Sequence, residues 1–297
     1  MNYRVLLAGL AVSLALGGCA TKPGNEASLK SGYAAEEPRH KPLKASAPVE
    51  MEPKKWLVAD LETRDDLAGL NGPHNLAGRT LEVASLKDIR LADKEVILTF
   101  DDGPAPGKTE RILATLDKFG VKAAFMMVGE MAQAHPATAR EVLAHGDAIG
   151  SHTFRHPDLD KMTFDAAMTE IARGKDAVTK AIGTDVPFFR FPYLADSKRL
   201  RAAIAARDMI VMDVDIDSKD YFTSTPAAVV DRTMKQLHQR GRGIVLMHDI
   251  HQRTVKMLPV LLSRLEKEGY KVVTLKYKRN TTPATNMIAQ ADTKMVR

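Results

Sequence analysis

The sequence predicts an α/β fold in which helices cover a parallel β-sheet. From residue 96 onward, short apolar runs rich in β-branched residues alternate with segments whose apolar residues recur at helical spacing. Seven such runs separated by six helical segments are typical of a parallel sheet with right-handed crossovers. This pattern by itself leaves two architectures open, a doubly wound open sheet and a closed barrel.

The predicted strands are short and mostly apolar, as expected for parallel strands that are buried on both faces. In chain order they are Val96–Phe100, Ala123–Val128, Ala148–Gly150, Phe188–Phe191, Met209–Val214, Gly243–Met247 and Tyr270–Leu275. A further segment, Thr80–Val83, has strand character but lies outside the regular alternation.

The predicted helices begin and end at residues that are typical of helix termini. Thr225 and Pro226 form an N-cap followed by proline at the first helical position. Gly120 and Gly269 follow apolar stripes, at the position where glycine commonly terminates a helix. The stripes predicted to be buried are Ile112, Leu113, Leu116 and Phe119; Met168, Ile171, Ala172 and Val178; Val229, Val230 and Leu237; and Leu258, Leu261, Leu262 and Leu265.

The first residues have the layout of a secretory signal. Arg4 precedes an apolar run that ends near Leu16 and is too short to span a bilayer. The segment 16–19 reads Leu-Gly-Gly-Cys and resembles a bacterial lipobox, so we expect cleavage before Cys19 and a lipid on that cysteine. The alternative is an ordinary signal peptide that contains a chance cysteine. Because Cys19 is the only cysteine, the sequence predicts no disulfide and no thiolate metal site.

The composition limits the domain organisation and the possible partners. Of 297 residues, 44% are hydrophobic, 5% are aromatic, and the formal net charge is +6. With few aromatics and no arginine-rich run, the sequence disfavours nucleic-acid binding, and it indicates no obligate protein partner. We expect a signal peptide (1–18), a flexible tether (19–55), an N-terminal extension packed on the domain (56–92), one large domain (93–280) and a C-terminal tail (281–297).

Polar clusters follow five of the predicted strands at the point where each strand ends. They are Asp101-Asp102, Ser151 to Pro157, Arg190 to Tyr193, the acidic set Asp213, Asp215, Asp217 and Asp220, and His248-Asp249. In a β/α barrel the carboxyl ends of all the strands meet at one rim, where active sites form. The sequence therefore predicts one site built from five distant segments.

Two of these clusters are consistent with a metal site. His152 and His156 are four residues apart on one predicted loop, and Asp102 offers a carboxylate. Two imidazoles and a carboxylate with an open position are typical of catalytic zinc. Taken alone, however, a histidine pair is more often a surface or core feature, and two adjacent aspartates are often only a charged turn.

Taken together, the clusters resemble the polysaccharide deacetylases of the NodB-homology type, over residues 96–275. The five matching segments are Thr99 to Pro104 (TFDDGP), His152 to Pro157 (H-[ST]-x-x-H-P), Arg190 to Tyr193 (R-x-P-[YF]), Asp217 to Tyr221 (D-S-x-D-W, with tyrosine for tryptophan) and Leu246 to His248 (L-x-H). The resemblance implies a distorted (β/α) barrel with about seven parallel strands. It also implies hydrolysis of acetyl groups from N-acetylated sugars of a polysaccharide such as peptidoglycan, or an exopolysaccharide or chitin-like polymer of N-acetylglucosamine.

The resemblance implies a role for each motif residue. Asp102, His152 and His156 would hold a divalent metal, most simply Zn²⁺, with Co²⁺ or Ni²⁺ as alternatives. The metal would acidify a water. Asp101 would be the general base oriented by Arg190, and His248 the general acid whose pKa Asp220 raises. The backbone N–H of Tyr193 would join the metal in binding the oxyanion, and Leu246 would line a pocket for the acetyl methyl.

Two residues depart from the family pattern, and other functions stay open. Leu194 stands where relatives often have glycine, and Val214 stands where they often have an aromatic residue. His251 has no counterpart in the family motifs, and a surface position is expected for it. The alternatives are an O-acetyl esterase acting on xylan or another glycan, a non-catalytic cell-wall-binding lipoprotein, and a periplasmic metal-binding protein. Ala20 after the lipidated cysteine favours the periplasmic face of a Gram-negative outer membrane.

Overall fold

The structure is a computed structural model that describes residues 73–279. Within this range, β-strands and α-helices alternate along the chain. The strands are β1 (Ala77–Val83), β2 (Glu95–Asp101), β3 (Ala124–Met127), β4 (Ala148–Ser151), β5 (Phe188–Phe189), β6 (Ile210–Val211), β7 (Ile216–Asp217), β8 (Gly243–His248) and β9 (Lys271–Tyr277). The helices are α1 (Thr109–Lys118), α2 (Gly129–Ala134), α3 (Pro136–His145), α4 (Phe164–Ile182), α5 (Lys198–Ala205), α6 (Pro226–Arg240) and α7 (Gln252–Lys267).

All the strand pairs in this range are parallel, and together they form a distorted barrel. The strands follow the order β1-β9-β2-β3-β4-β5-β6, while β8 pairs with β2 and with β7. The predicted α/β class and barrel architecture are therefore confirmed. The expected number of about seven strands was too low, because the described residues contain nine. The predicted strand at Thr80–Val83 is present and begins earlier, at Ala77.

The barrel closes through one extended segment that contains both β6 and β7. Ile210 in β6 pairs with Phe188 in β5, whereas Ile216 in β7 pairs with Val245 in β8. Only residues 212–215 separate the two short strands, so a single stretch of chain changes partner from one side of the barrel to the other. The predicted single strand Met209–Val214 was therefore wrong, because the pairing with β5 ends at Val211. The local sequence gives no sign of this change of partner.

Alternate residues of β2 face the barrel interior and the helices. Ile97 belongs to an apolar cluster with Met126, Phe188 and Ile244, which come from three other strands. Leu98 and Phe100 instead belong to the cluster that contains the buried faces of the helices. Because side chains alternate along a strand, Thr99 and Asp101 share the inner face with Ile97. The interior of the barrel is therefore apolar at one end of β2 and polar at the end that carries the predicted site.

The helix termini largely agree with the sequence prediction. The Thr225 side chain caps α6 by accepting a hydrogen bond of 3.2 Å from the N–H of Ala228. Gly120 has a φ of +64° just beyond α1, a conformation that glycine adopts without steric cost. Ala172 is exposed, so its predicted place on the buried face of α4 was wrong; Gly174 is buried instead. Across residues 73–279, no helix combines the length and the apolar character needed to cross a membrane.

Candidate metal centre and active site

The predicted site residues lie where the strands end. Asp101 is the last residue of β2 and His248 the last of β8, and their Cα atoms are direct partners in the sheet. His152 follows β4, and Arg190 follows β5. Parallel pairing thus brings together residues that are up to about 150 positions apart in the chain.

Asp102, His152 and His156 form one cluster. One potential ligand atom from each residue lies within 4.8 Å of the others. Asp102 Oδ1 is 3.7 Å from His152 Nε2 and 3.4 Å from His156 Nε2. His152 Nδ1 lies 2.8 Å from the carbonyl oxygen of Arg190, to which it donates in one tautomer, and this leaves Nε2 directed at the cluster. A hydrogen bond to the second ring nitrogen is the usual way in which proteins orient a metal-binding histidine.

The donor set fits a divalent metal ion. Two ligand atoms bound to a tetrahedral ion at zinc-like distances are separated by about 3.4 Å, close to the separations found here. Asp102 Oδ1 and His156 Nδ1 are buried and have no hydrogen-bond partner among the described residues. Burial of the ring is the main cause that lowers the pKa of His156, and the charge of the nearby His152 lowers it further. A neutral imidazole is the form that binds a metal.

The backbone is held in an uncommon conformation around these ligands. Asp102, Thr153, His156 and Tyr193 have φ values of +76°, +66°, +57° and +57°. Non-glycine residues avoid this left-handed region, and such outliers concentrate at functional sites where the surrounding structure maintains them. The peptide bond between Gly103 and Pro104 is cis.

Helix α4 and the start of α2 anchor the loop that carries the two histidines. The N–H groups of Gly129 and Glu130 donate to the carbonyl oxygens of Thr153 and Phe154, each at 2.9 Å. Glu170 on α4 is buried and accepts from the backbone N–H of Arg155 at 2.5 Å. A Cβ at position 174 would lie only 2.3 Å from the carbonyl carbon of Thr153. The loop therefore packs directly on the α4 backbone.

Arg190 is fully buried and fixes Asp101. Its Nη1 donates to Asp101 Oδ1 at 2.6 Å and to Thr99 Oγ1 at 2.7 Å. Its other nitrogens donate to the carbonyl oxygens of Met212 and Asp213, at 3.0 and 3.2 Å. Burying an arginine is costly unless its charge and its donors are satisfied, and here both are. Asp101 Oδ2 remains on the side of His152, 3.7 Å from its Nε2.

His248 has a carboxylate partner of its own, Asp220. Asp220 Oδ1 lies 2.7 Å from His248 Nδ1, and Asp220 Oδ2 accepts from the His248 backbone N–H at 2.8 Å. Thr254 donates a further hydrogen bond of 2.5 Å to Asp220 Oδ2. Burial alone would lower the pKa of His248, but the hydrogen bond and negative charge of Asp220 outweigh it and raise that pKa to about 9. The imidazole therefore carries a proton at neutral pH.

Of the remaining predicted residues, Tyr193 borders the cluster, whereas Tyr221 and Leu246 lie on the side of His248 and β8. The ring of Tyr193 lies 4.6 Å from the ring of His156, and the ring of Tyr221 lies 5.4 Å from that of His248, measured between centroids. Tyr193, Tyr221 and Phe222 are exposed, which places an aromatic surface at the rim. Leu246 is buried on β8, where its Cα pairs with those of Thr99 and Asp217.

The predicted acidic set does not converge as a whole. Asp220 alone contacts a proposed catalytic residue, whereas Asp217 accepts a hydrogen bond of 2.8 Å from the Tyr221 hydroxyl. Asp213 pairs with Arg201 at 2.6 Å, and Asp215 accepts from the backbone N–H of Ile244 at 2.9 Å. The set separates because the chain changes sheet partner between β6 and β7.

Three other positions named in the sequence analysis have distinct surroundings. Leu194 and Val214 line one cavity of about 300 Å³, together with Met212 and Asp213, whose carbonyl oxygens bind Arg190. His251 is half-buried rather than fully exposed, and its ring lies 5.9 Å from the ring of His248. It is not part of the Asp102–His152–His156 cluster.

Sequence reasoning missed several residues that support this site. Thr99 helps to hold Arg190, Thr254 binds Asp220, and Glu170 holds the histidine loop. Thr99 lies inside the TFDDGP segment and could have been noticed as an inward-facing polar residue of a buried strand. Thr254 and Glu170 lie on amphipathic helices, where nothing in the sequence distinguishes them from other polar residues.

Comparison with known proteins agrees with this geometry. The family described as polysaccharide deacetylase matches residues 88–211. The chain is 32% identical over 200 residues to the peptidoglycan-N-acetylmuramic acid deacetylase PdaC of Bacillus subtilis, covering 65% of this chain and 41% of that protein. It is 30% identical over 188 residues to a peptidoglycan-N-acetylglucosamine deacetylase of Bacillus cereus, covering 62% of this chain and 87% of that protein.

A solved structure shows the same fold. The peptidoglycan deacetylase Bd3279 of Bdellovibrio bacteriovorus matches with a TM-score of 0.65 at 32% identity, covering 71% of this chain and 62% of the other. The chain thus spans less than half of the Bacillus subtilis relative, but most of the Bacillus cereus relative. With this fold and these relatives, the chain belongs to the polysaccharide deacetylase family.

Proposed function

We propose that this protein removes acetyl groups from N-acetylated sugars of a polysaccharide, by metal-dependent hydrolysis. The observation that carries the proposal is the arrangement of three neighbouring groups. The Asp102–His152–His156 cluster lies beside Asp101, a carboxylate held by Arg190, and the strand partner of Asp101 is His248, an imidazole held by Asp220. A protein that only binds polymer or stores metal has no need for a fixed base and a protonated acid at one site.

The two flanking residues are suited to opposite proton transfers. When bound by Asp102, His152 and His156, a divalent metal supplies Lewis-acid polarisation of the acetyl oxygen and acidification of water. Asp101, with one oxygen held by Arg190, accepts the proton of the attacking water through its other oxygen. His248, protonated at neutral pH because of Asp220, donates a proton to the departing amine.

Two further residues bind the acetyl group itself. The backbone N–H of Tyr193 stabilises the oxyanion, and Leu246 contacts the acetyl methyl.

The exposed aromatic rim supports a carbohydrate substrate. Tyr193 lies beside the cluster, and Tyr221 lies beside His248 and packs at a tilt against Phe222, with ring centroids 4.7 Å apart. Flat exposed rings of this kind offer apolar faces to the C–H groups of a sugar. The relatives in Bacillus subtilis, Bacillus cereus and Bdellovibrio bacteriovorus are named for peptidoglycan, which makes that polymer the first substrate to test. A chitin-like polymer of N-acetylglucosamine is the second.

Analysis of the products identifies which bond the enzyme cleaves. Purified peptidoglycan and N-acetylated chito-oligosaccharides are incubated with the full-length protein, and acetyl loss is followed by mass spectrometry together with an assay for free amines. We expect acetyl loss matched by new amines, and neither with the Asp101→Asn variant. Acetate release from O-acetylated xylan, without amine formation from any N-acetylated polymer, would replace the proposal with an O-acetyl esterase.

Metal dependence is tested on the same reaction. Zn²⁺ is the proposed ion, and a site of nitrogen and oxygen ligands also accepts Co²⁺ or Ni²⁺. Chelation should abolish turnover, and addition of each ion should restore it to a different extent. Unchanged activity in protein shown by elemental analysis to be free of metal would overturn the proposed mechanism.

We also propose that the protein is exported and tethered by a lipid on Cys19, at the periplasmic face of an outer membrane. The lipobox-like segment 16–19 and Ala20 support this proposal. They lie outside the described residues. Such a tether would hold the domain close to the cell wall.

A further inference from the structure

The residue after His248 is a buried carboxylate to which the mechanism above assigns no role. Asp249 is 1% exposed, and its Oδ2 accepts a hydrogen bond of 2.6 Å from Thr109 Oγ1. That hydroxyl accepts in turn from the backbone N–H of Ala105, at 2.8 Å. These two bonds connect the end of β8, through the first residue of α1, to the loop that follows Asp101 and Asp102.

The same carboxylate also packs against the loop itself. A Cβ at position 103 would lie 2.0 Å from Asp249 Oδ2 and 2.3 Å from Oδ1. The carboxylate thus occupies the space that a side chain at residue 103 would need. Gly103 does not have a positive φ, so glycine is needed here for the close approach and not for its backbone freedom. Asp102 directly precedes this contact.

Stability alone is a poor reason for an acid at this position. Among residues 73–279, Asp249 Oδ1 has no hydrogen-bond partner, and the one side chain that donates to this carboxylate is that of Thr109, on Oδ2. Burial raises the pKa of Asp249 to about 7, which reflects the cost of placing a charge there. Burial of a carboxylate with an unpartnered oxygen costs free energy that burial of an apolar side chain of similar volume does not. The polar group is therefore better explained by what it holds in place.

We propose that Asp249 is a positioning residue that fixes the loop following Asp101 and Asp102 relative to His248. Its carboxylate fixes the loop through Thr109 and through contact with Gly103, so that Asp102 keeps the position required to bind metal with His152 and His156. This inference rests on the proposed metal site. It does not depend on which polymer is the substrate.

The test measures metal affinity directly in the full-length protein. Co²⁺ is titrated in competition with a chromophoric chelator, and binding is followed by absorbance. Replacing a residue that orients a metal ligand typically weakens metal affinity by about 10–100-fold. We expect a loss of that size in Thr109→Val and in Asp249→Ala. Asp249→Asn, which keeps the shape and an acceptor for Thr109, should recover most of the affinity.

Thr115→Val is the matched control. Thr115 is also a buried threonine of α1, but its hydroxyl donates to the carbonyl oxygen of Arg111 within the helix, at 2.9 Å. It should lose a similar amount of thermal stability and keep wild-type Co²⁺ affinity. This comparison separates positioning of the ligand loop from general destabilisation of α1.

The outcomes are distinct. Wild-type Co²⁺ affinity in folded Thr109→Val would overturn the inference, as would equal losses in Thr109→Val and Thr115→Val. If Asp249→Ala does not fold, Thr109→Val, which exchanges a hydroxyl for a methyl group, decides the matter. A wild-type protein that binds Co²⁺ but deacetylates nothing would contradict the proposed function and leave the positioning inference intact.

Discussion

Asp101 and His248 are Cα partners on neighbouring strands, yet each has a different ionic partner. Asp101 is held by the guanidinium of Arg190, whereas His248 is held by the carboxylate of Asp220. The anion beside the imidazole favours its charged form, while the guanidinium fixes the orientation of the Asp101 carboxylate. One residue is thereby suited to accept a proton, and the other to donate one.

Because the two residues have different roles, the effect of replacing His248 should depend on the leaving group, whereas the effect of replacing Asp101 should not. An amine leaves poorly unless it is protonated, so loss of the acid should lower the rate of amide hydrolysis by ~10²–10⁴. An aryl acetate releases a phenolate that needs no proton. His248→Asn should therefore reduce kcat/KM on an N-acetylated oligosaccharide far more than on an aryl acetate.

Asp101→Asn provides the comparison. Both reactions need an activated water, so kcat/KM should fall on both substrates. The measurement is kcat/KM for each variant on each substrate. Equal losses on the two substrates in His248→Asn would show that His248 does not protonate the leaving group.

The raised pKa of His248 predicts an alkaline limit to amide hydrolysis. The active form is protonated, so the rate should be constant at neutral pH and fall as the pH rises through about 9. In Asp220→Asn, burial still lowers the pKa while the main group that raises it is gone. The alkaline limb of kcat/KM should therefore move to lower pH, and profiles recorded between about pH 6 and pH 10 would show the shift.

Asp217→Asn is the control for this shift. Asp217 lies three residues before Asp220 but bonds Tyr221 rather than His248. Its replacement should leave the position of the alkaline limb unchanged. An alkaline limb that is identical in wild type and Asp220→Asn would mean that another group sets the limit.

At the scale of elements, α4 supports the histidine loop with its backbone. Gly174 lies on the buried face of the helix, beneath Thr153 and Phe154. Glu170, one turn earlier, binds the backbone of Arg155. The loop that carries two of the proposed metal ligands therefore depends on a helix that contributes no ligand.

This packing predicts an unusual response to Gly174→Ala. In the interior of a helix, alanine is normally more stable than glycine by about 1 kcal/mol. Here the added Cβ would lie 2.3 Å from the carbonyl carbon of Thr153, so the loop must move. Overpacking of this kind typically costs about 1–3 kcal/mol, which outweighs the gain. We expect lower stability to urea together with weaker Zn²⁺ binding.

Ala172→Gly is the matched change on the exposed side of α4. It should cost about 1 kcal/mol and leave Zn²⁺ affinity unchanged, because the position faces solvent. Stability in Gly174→Ala equal to or above that of wild type would show that the loop does not depend on close contact with the helix.

At the scale of the whole molecule, the barrel contains the complete proposed site, so catalysis should not depend on the proposed lipid tether. Cys19→Ser should move the protein from the membrane fraction to the soluble periplasmic fraction, with unchanged kcat/KM on a soluble oligosaccharide. Fractionation followed by immunoblotting measures the first effect. A Cys19→Ser protein that remains in the membrane fraction would show that another segment binds the membrane.

The sequence by itself determined the features that depend on residues close together in the chain. The order of strands and helices follows from periodicity, and the clustering of Asp102, His152 and His156 follows from motifs at strand ends. The family resemblance also implied the pairing of Asp220 with His248, which the structure contains. Only the tertiary structure showed that the 209–217 segment divides between two sides of the barrel and that Glu170, Gly174 and Asp249 lie against the ligand loops. The physical reason is that periodicity and capping depend on neighbours in the chain, whereas these contacts depend on sheet register and close packing between residues far apart in sequence.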